Sequence, residues 1–327
     1  MSDRFCNVLL RRLVIAAVCL AATAIWAQQF PTKAVRIVVP FPAGGAVDFT
    51  ARMIAQKIGE EWRQTVVVEN QAGANGNVGA DAVAKAAPDG HTLLVSSAGV
   101  FTTNRFLYKN IPYDVDRDLA PVSLAIMAPN VLVANPGFPV SDLPSLIARA
   151  KANPGQIHYA SQGNGSTGHL TGALLAQSAG INIGHVPYRG DAPALNDVIA
   201  GHVPIMWATM TSVLPHIRGG RLKALVVGSR ERAPELPDVP SAIQAGLADF
   251  QSVGWFAVAV TGGTPKDVID KIAEAVGRAM RAPDVVVRLN EMGAKGVGNT
   301  PAEFAAFKDA ETVRWKKVIE AANIRPE

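Results

Sequence analysis

The sequence has almost no cysteine. Of its 327 residues only Cys6 and Cys19 are cysteines, and both lie within the first 27 residues. The rest of the chain, residues 28–327, therefore has no cysteine with which to form a disulfide, a thiol nucleophile or a thiolate metal site. The chain also lacks a basic run interleaved with aromatic residues, which excludes nucleic acid as an expected partner. After residue 27, no apolar run reaches the ~18 residues that a membrane-spanning helix needs.

The first 27 residues have the pattern of a secretory signal peptide. Arg4, Arg11 and Arg12 precede an apolar run over residues 13–24, and Ala27 closes this run before a polar segment. The small-residue rule permits cleavage after Ala24 or after Ala27, and we expect cleavage near Ala27. An uncleaved anchor is the alternative. The pattern therefore predicts export to the periplasm.

A strand, a glycine loop and a helix open the rest of the chain. The β-branched run at 35–39 ends in a turn over residues 40–45, and apolar residues at helical spacing follow at once. A helix N-terminus presents unpaired N–H groups and a positive dipole end, so this loop can hold a carboxylate or a phosphate. The alternative is an ordinary first strand-to-helix turn. Asp48 is interpreted either as a ligand contact or as a helix N-cap.

Strands and helices then alternate along the chain. Strands are predicted over 65–70, 91–97, 119–135 (as one or two strands), 157–161, 181–188, 203–208, 222–228 and 253–260. This alternation favours a parallel sheet, in which the loops after the strands form the binding edge. The last two helices are predicted to begin with Thr264 and Thr300 as N-caps, each followed by proline.

The length and the order of elements predict two domains. A chain of 327 residues is comfortable for two domains of roughly 100–200 residues each. The strand, glycine loop and helix design recurs over residues 157–175, which implies a second domain built on the same principle. The apolar faces of the last two helices need a sheet to cover. We therefore predict a first domain of residues 28–127 and 248–327, a second domain of residues 128–247, and a ligand cleft between them.

One motif favours a different function. Gly163, Gly165 and Gly168 form a Gly-x-Gly-x-x-Gly pattern, and Asp191 follows 23 residues later, as in a dinucleotide-binding fingerprint. An NAD-dependent oxidoreductase is thus the alternative hypothesis. Export argues against it, because an exported protein meets little nicotinamide cofactor, and the glycines equally suit a loop that approaches another anion.

No catalytic set stands out in the sequence. Ser166, His169 and Asp191 could imitate a triad, but a triad is defined by geometry that sequence spacing does not establish. The six histidines show no pair at metal-ligand spacing on one helical face. We predict a protein that is not an enzyme, with no catalytic residues, cofactor or metal site.

Several motifs follow one another in a distinctive order. They are Phe-Pro-Thr-Lys at 30–33, the segment 38–48 with its Pro-Ala-Gly-Gly loop, the segment 68–76, Asp-Gly at 89–90, the segment 163–170 and the segment 186–194. With these motifs the chain resembles the Bug family of periplasmic solute-binding proteins, the receptor components of tripartite tricarboxylate transporters. The resemblance covers residues 29–324, and its departures are minor, such as Ala34 where proline is common.

The resemblance implies an α/β fold of the two-domain periplasmic-binding-protein (Venus flytrap) architecture, each domain a mainly parallel sheet flanked by helices. It further implies closure on a small organic anion, a mono- or dicarboxylate, and delivery of that solute to membrane transporter subunits. We expect a monomer. A sensory role, in which the protein presents its ligand to a signalling receptor, is a third hypothesis.

Carboxylate oxygens need several N–H or hydroxyl donors, which the glycine loop and nearby hydroxyl groups can supply without a buried arginine. Arg189 is interpreted either as a counter-ion or as a solvated charge, Tyr188 as a pocket wall, and Trp207 as cleft wall or core. The predicted ligand-binding residues are Pro42, Ala43, Gly44, Gly45, Asp48, Ser97, Thr102, Ser161, Gly163, Asn164, Ser166, Thr167, His169, Tyr188, Arg189 and Asp191.

Overall fold

The computed structural model describes residues 30–324. Of these, residues 30–32 belong to a unit separate from the one that begins at Lys33, and the fold below is that of residues 33–324. The predicted signal peptide and its cleavage site at Ala27 lie outside the described residues. Within the described range, no helix combines the length and the apolar composition that crossing a membrane requires.

Ten strands of the described chain form one mixed sheet. Their bounds are β1 Val35–Val39, β2 Val66–Asn70, β3 Thr92–Ser97, β4 Leu119–Ala134, β5 His158–Ser161, β6 Gly184–Pro187, β7 Ile205–Thr209, β8 Lys223–Val227, β9 Val253–Thr261 and β10 Lys295–Gly296.

Helices flank this sheet. The α-helices of the described residues are α1 Ala46–Trp62, α2 Asn77–Ala84, α3 Ala98–Phe101, α4 Asn104–Leu107, α5 Leu143–Ala152, α6 Thr167–Ala179, α7 Asp191–Ala200, α8 Met210–Arg218, α9 Lys266–Arg281, α10 Pro283–Glu291 and α11 Pro301–Ala321. A single 3-10 turn at Ala74–Gly76 precedes α2.

The sheet has parallel outer parts joined by antiparallel strands. Its strand order is β2-β1-β3-β9-β4-β7-β5-β6, with β8 and β10 paired to β4. The predicted parallel pairing is confirmed where β1 joins β2 and β3 and where β5 joins β6 and β7. By contrast, β9 runs antiparallel to β3 and β4, and β4 runs antiparallel to β7. We call β2, β1, β3 and β9 the first part of the sheet and β7, β5, β6 and β8 the second part.

The long strand β4 belongs to both parts. Its residues 119–129 pair with β9, whereas residues 130–134 pair with β7, and 131–134 also with β8. The apolar run at 119–135 is therefore one strand of 16 residues rather than two. The change of partner lies close to the predicted domain boundary at residue 127, although the domain limits themselves stay a prediction.

Each part of the sheet has its own apolar core. Trp207 is fully buried in the second part, where its ring stacks on Phe250 at a centroid distance of 5.5 Å. Of the two interpretations of Trp207 from the sequence, cleft wall or core, the structure supports the core. In the first part, Trp255 packs against Phe101 and Phe304.

One of the two predicted helix caps is confirmed. Thr300 accepts the backbone N–H of Glu303, and the Glu303 carboxylate accepts the backbone N–H of Thr300 at 2.8 Å, which closes a capping box. The prediction for Thr264 was wrong. Helix α9 begins after Pro265, and the Thr264 hydroxyl donates to the Thr261 carbonyl at 2.8 Å instead, because it closes the turn that follows β9.

Candidate functional site

A pocket is lined by residues from both parts of the sheet. Its empty volume, including the mouth, is about 540 Å³. The lining residues are Phe41, Pro42, Gly45, Ala46, Val47, Ser97, Asn130, Gln162, Ser166, Thr167, Gly190, Asp191, Ala192, Thr209, Gly254 and Phe256.

Most of this lining consists of the starts of helices. Helices α1, α3, α6, α7 and α8 all begin here, with Gly45, Ser97, Ser166, Gly190 and Thr209 as their N-cap residues. The first backbone N–H groups of a helix have no partner within it, and the helix dipole adds a positive potential at that end. No lysine or arginine of the described residues lines the pocket, so the helix starts are its source of positive potential.

The loop before α1 is held in place by Asp48. This buried carboxylate accepts the backbone N–H of Gly44 at 3.0 Å, the Arg52 guanidinium at 2.9 and 3.0 Å and the Asn70 amide at 2.9 Å. Burial alone would raise the pKa of Asp48, but these donors outweigh it and hold the pKa below its usual value. Asp48 therefore positions the loop from behind and does not line the pocket.

Two glycines allow the chain to approach the pocket closely. Gly44 has φ +84°, which only glycine adopts without strain. Gly190 has φ +114°, and a β-carbon there would lie 3.0 Å from Cδ of Pro42. The start of α7 can therefore meet the loop before α1 only because residue 190 carries no side chain.

Among the described residues, Asp191 is the only acidic or basic side chain in the pocket lining. Its carboxylate accepts hydrogen bonds from Nε2 of Gln162 at 2.8 Å, from Oγ of Ser212 at 3.1 Å and from the backbone N–H of Ala46. Burial raises the pKa of Asp191, and these three donors offset only part of that rise. Asp191 thus joins the starts of α7, α8 and α1 through one carboxyl group.

The glycine motif is explained by local packing. Gly163 and Gly165 have φ +134° and +77°, and a β-carbon on Gly168 would lie 2.5 Å from the Trp207 carbonyl oxygen. The carboxylate of Asp191, which a dinucleotide would need for its ribose, is engaged by the three donors named above. The structure therefore accounts for these residues without a nucleotide.

Two stacked histidines lie behind the pocket. The rings of His169 and His185 are 3.9 Å apart, and Ser161 Oγ lies 2.6 Å from His185 Nε2. The Gly165 backbone N–H donates to His169 Nδ1, and Ser166 Oγ accepts the backbone N–H of His169 rather than meeting its ring. Burial lowers the pKa of His169 to about 4 and that of His185 to about 3, so both are neutral near pH 7. Ser166 and His169 are therefore not arranged as members of a catalytic triad, although their order in the sequence resembles one.

The predicted ligand-binding residues are distributed over five places in the structure. Those that line the pocket are Pro42, Gly45, Ser97, Ser166, Thr167 and Asp191. A neighbouring pocket that shares Gln162 is lined by Gly163, Asn164, Tyr188 and Arg189, and a third pocket by Gly44. Buried outside the lining of all three are Asp48, Thr102, Ser161 and His169. Ala43 is exposed to solvent.

Sequence reasoning missed several lining residues. Asn130 carried a usable signal, since it is a polar residue inside an apolar run, and the structure buries it completely. Gln162 directly precedes the glycine motif. Gly254 and Phe256 reach the pocket from β9, far along the chain, and nothing in their local sequence marks them.

Two α/β parts with a pocket between them, lined by the starts of helices, define a two-domain binding protein of the periplasmic type. Comparison with known proteins confirms this class. The model of the tripartite tricarboxylate transporter family receptor matches residues 50–324. The chain belongs to this family.

Individual relatives and solved structures agree with this family assignment. BugT of Bordetella pertussis is 38% identical over 299 residues, which cover 91% of this chain and 92% of BugT. The solved structure of R. palustris Rpa4515 with adipate has a TM-score of 0.89 at 34% identity and covers 91% of this chain and 100% of that one. MatC from Rhodopseudomonas palustris with bound malate has a TM-score of 0.84 at 34% identity, covering 89% and 100%. The resemblance to the Bug family is confirmed, and the comparisons give the oxidoreductase no support.

Proposed function

We propose that this protein is a periplasmic receptor that binds a small carboxylate-bearing organic anion in the pocket between its two parts. The observation that carries the proposal is the meeting of five helix starts at a pocket that has no lysine or arginine in its described lining. Backbone N–H groups and hydroxyls are the donors that carboxylate oxygens need. The solved relatives bound to adipate and malate support the same ligand class.

The energetics are adequate for such a site. A hydrogen bond to a charged group contributes ~1.5–3 kcal/mol, and a micromolar dissociation constant corresponds to about 8 kcal/mol. Four to six such bonds, after the costs of immobilising the ligand, reach that range. Gly45, Ser97, Ser166 and Thr167 lie in the pocket lining with groups of the required kind.

The domain division gives this binding a mechanism. Residues 28–127 with 248–327 would form one jaw and residues 128–247 the other, and β4 crosses between them. The ligand stabilises the closed arrangement because it contacts both jaws there, which is a shift of population. The closed receptor then delivers its solute to membrane subunits of the transporter. Presentation of the same complex to a sensor protein is the second candidate role.

A backbone substitution tests the helix-start site directly. Thr167 is the first residue of α6 and lines the pocket. Proline is tolerated at this position, and Ser166 before it has φ −64° and ψ 157°, which a following proline permits. Thr167→Pro removes the backbone N–H group and the hydroxyl group of this residue and keeps the helix. We expect affinity for the best-binding carboxylate, measured by calorimetry, to fall at least tenfold, about 1.4 kcal/mol.

Thr167→Ala is the matched control, because it lacks the same hydroxyl but keeps the N–H group, and it should bind at least tenfold more tightly than Thr167→Pro, about 1.4 kcal/mol. A panel of mono- and dicarboxylates, amino acids and aromatic acids identifies the ligand for this test. If no acid in the panel produced heat or a thermal shift, or if Thr167→Pro bound as tightly as the control, the helix-start site would be refuted.

A further inference from the structure

The pocket contains hydrogen-bond acceptors that have no donor. Oδ1 of Asn130 and Oε1 of Gln162 are buried and unpartnered, and both residues line the pocket. Buried polar atoms are nearly always paired, so two orphaned acceptors in one pocket call for a partner from outside the chain. This conclusion requires that the unpartnered atom of each amide is its oxygen and not its nitrogen.

The orientation of Asn130 follows from a chain of hydroxyls. Thr171 donates its single hydroxyl proton to the Thr167 carbonyl at 2.6 Å. Ser252, whose Oγ lies 2.5 Å from Thr171 Oγ1, must then donate to Thr171. With its proton used, Ser252 can only accept from the Asn130 amide at 2.7 Å. The Asn130 nitrogen therefore faces Ser252, and its oxygen is the free acceptor.

Gln162 is oriented by two acceptors. Its Nε2 lies 2.8 Å from the Asp191 carboxylate and 3.4 Å from the Trp207 carbonyl, and both of these groups call for a donor. The amide oxygen consequently points away from them and stays unpaired. The pocket thus offers two free amide oxygens. Beside them lies the Asp191 carboxylate, which already accepts three hydrogen bonds and which no cationic side chain of the described pocket lining balances.

We propose that Asn130, Gln162 and Asp191 make the pocket select ligands that carry a hydrogen-bond donor, an ammonium or a hydroxyl group, in addition to their carboxylate. This inference rests on the proposed function, which supplies the carboxylate, and it narrows the ligand class. An unsubstituted diacid brings only further acceptors and negative charge toward these groups. A site built to accept hydrogen bonds discriminates strongly against a ligand that lacks the donor.

Matched acids test the preference on the intact chain without its leader. Calorimetry compares succinate with malate and aspartate, and adipate with 2-aminoadipate. We expect the substituted acid to bind at least tenfold more tightly than the plain diacid of the same length. Malate and aspartate separate the two donor groups, since a hydroxyl suffices if they bind alike, and an ammonium group is required if aspartate alone is favoured.

Variants assign the preference to these side chains. Asp191→Asn should reduce it to less than about threefold, chiefly because plain diacids then bind more tightly. Asp238→Asn makes the same change of charge at an exposed position and should leave the preference intact. Gln162→Met removes an acceptor without changing the charge, and it decides the question if Asp191→Asn does not fold.

The two hypotheses fail in different ways. Binding of plain diacids as tightly as their substituted counterparts, or a preference unchanged in both Asp191→Asn and Gln162→Met, overturns this inference and leaves the proposed function standing. A chain that binds none of the five acids and no other carboxylate overturns both.

Discussion

Replacing Asp48 by asparagine should destabilise the protein through the loop before α1. The carboxylate accepts four hydrogen bonds from Gly44, Arg52 and Asn70, and it is only 4% exposed. Asparagine has the same shape but carries no charge, and its NH2 group cannot accept from the guanidinium. Arg52 is half exposed and regains water, so its part of the loss is small.

The rest of the lost stability comes from the hydrogen bonds to Gly44 and Asn70, which become weaker when their acceptor no longer carries a charge. Bonds to a charged group contribute ~1.5–3 kcal/mol each, against about 1 kcal/mol for neutral ones. We therefore expect a loss of about 2–3 kcal/mol in the free energy of unfolding. Urea unfolding followed by tryptophan fluorescence measures it, and ligand affinity should fall as well because the loop lines the pocket.

The control is Asp270→Asn. Asp270 also pairs with a basic residue one helical turn away, Lys266, but both side chains are exposed. Such pairs contribute ~0.2–0.5 kcal/mol. If Asp48→Asn lost no more stability than this control, the assigned role of Asp48 would be wrong.

The same substitution should change the acid limb of the stability curve. The pKa of Asp48 is lowered in the folded state. Its contribution is therefore complete above the unfolded value of about 3.9 and is lost as pH falls through the folded value. The Asp48→Asn variant should lack this part of the acid loss.

Three further results are expected. Burial lowers the pKa of His169 to about 4 and that of His185 to about 3, so as the pH falls both histidines are protonated in the unfolded chain before they are protonated in the folded protein. The free energy of unfolding should therefore fall from about pH 6.5 towards about pH 4 by up to ~1.4 kcal/mol per pH unit for each histidine. Urea unfolding at a series of pH values measures this fall, and a flat profile would contradict it. Trp207→Ala should cost ~3–5 kcal/mol in the same assay because the ring is fully buried, and a loss below ~1 kcal/mol would refute its place in the core. Thr300→Ala should cost ~1 kcal/mol, seen as a lower thermal midpoint, because the capping box with Glu303 is lost; an unchanged midpoint would count against it.

Local patterns in the sequence predicted most individual elements. The β-branched run before residue 40 and the helical spacing after residue 46 place β1 and α1 where the structure has them. The cap at Thr300 was readable for the same reason, since a capping box is complete within four residues. Thr264 shows the limit of this reasoning, because its hydroxyl had a competing acceptor in the turn after β9.

Other features depend on partners far apart in the chain. Whether residues 119–135 form one strand was decided by β9 and β7, which pair with its two ends. The antiparallel pairing of β9 and β4 with their neighbours has no local signal either, since strand direction is set by the connections and not by side-chain alternation.

The sequence by itself therefore determined the alternation of strands and helices, the glycine loop before α1 and, through ordered motifs, the receptor family. The tertiary structure alone decided which of those residues meet. Asp48 and Asp191 look alike in sequence as acids at helix starts, yet Arg52 and Asn70 cover the first from behind, while the second faces the pocket. The physical reason is that a side chain's role depends on the donors packed around it, and these come from distant segments.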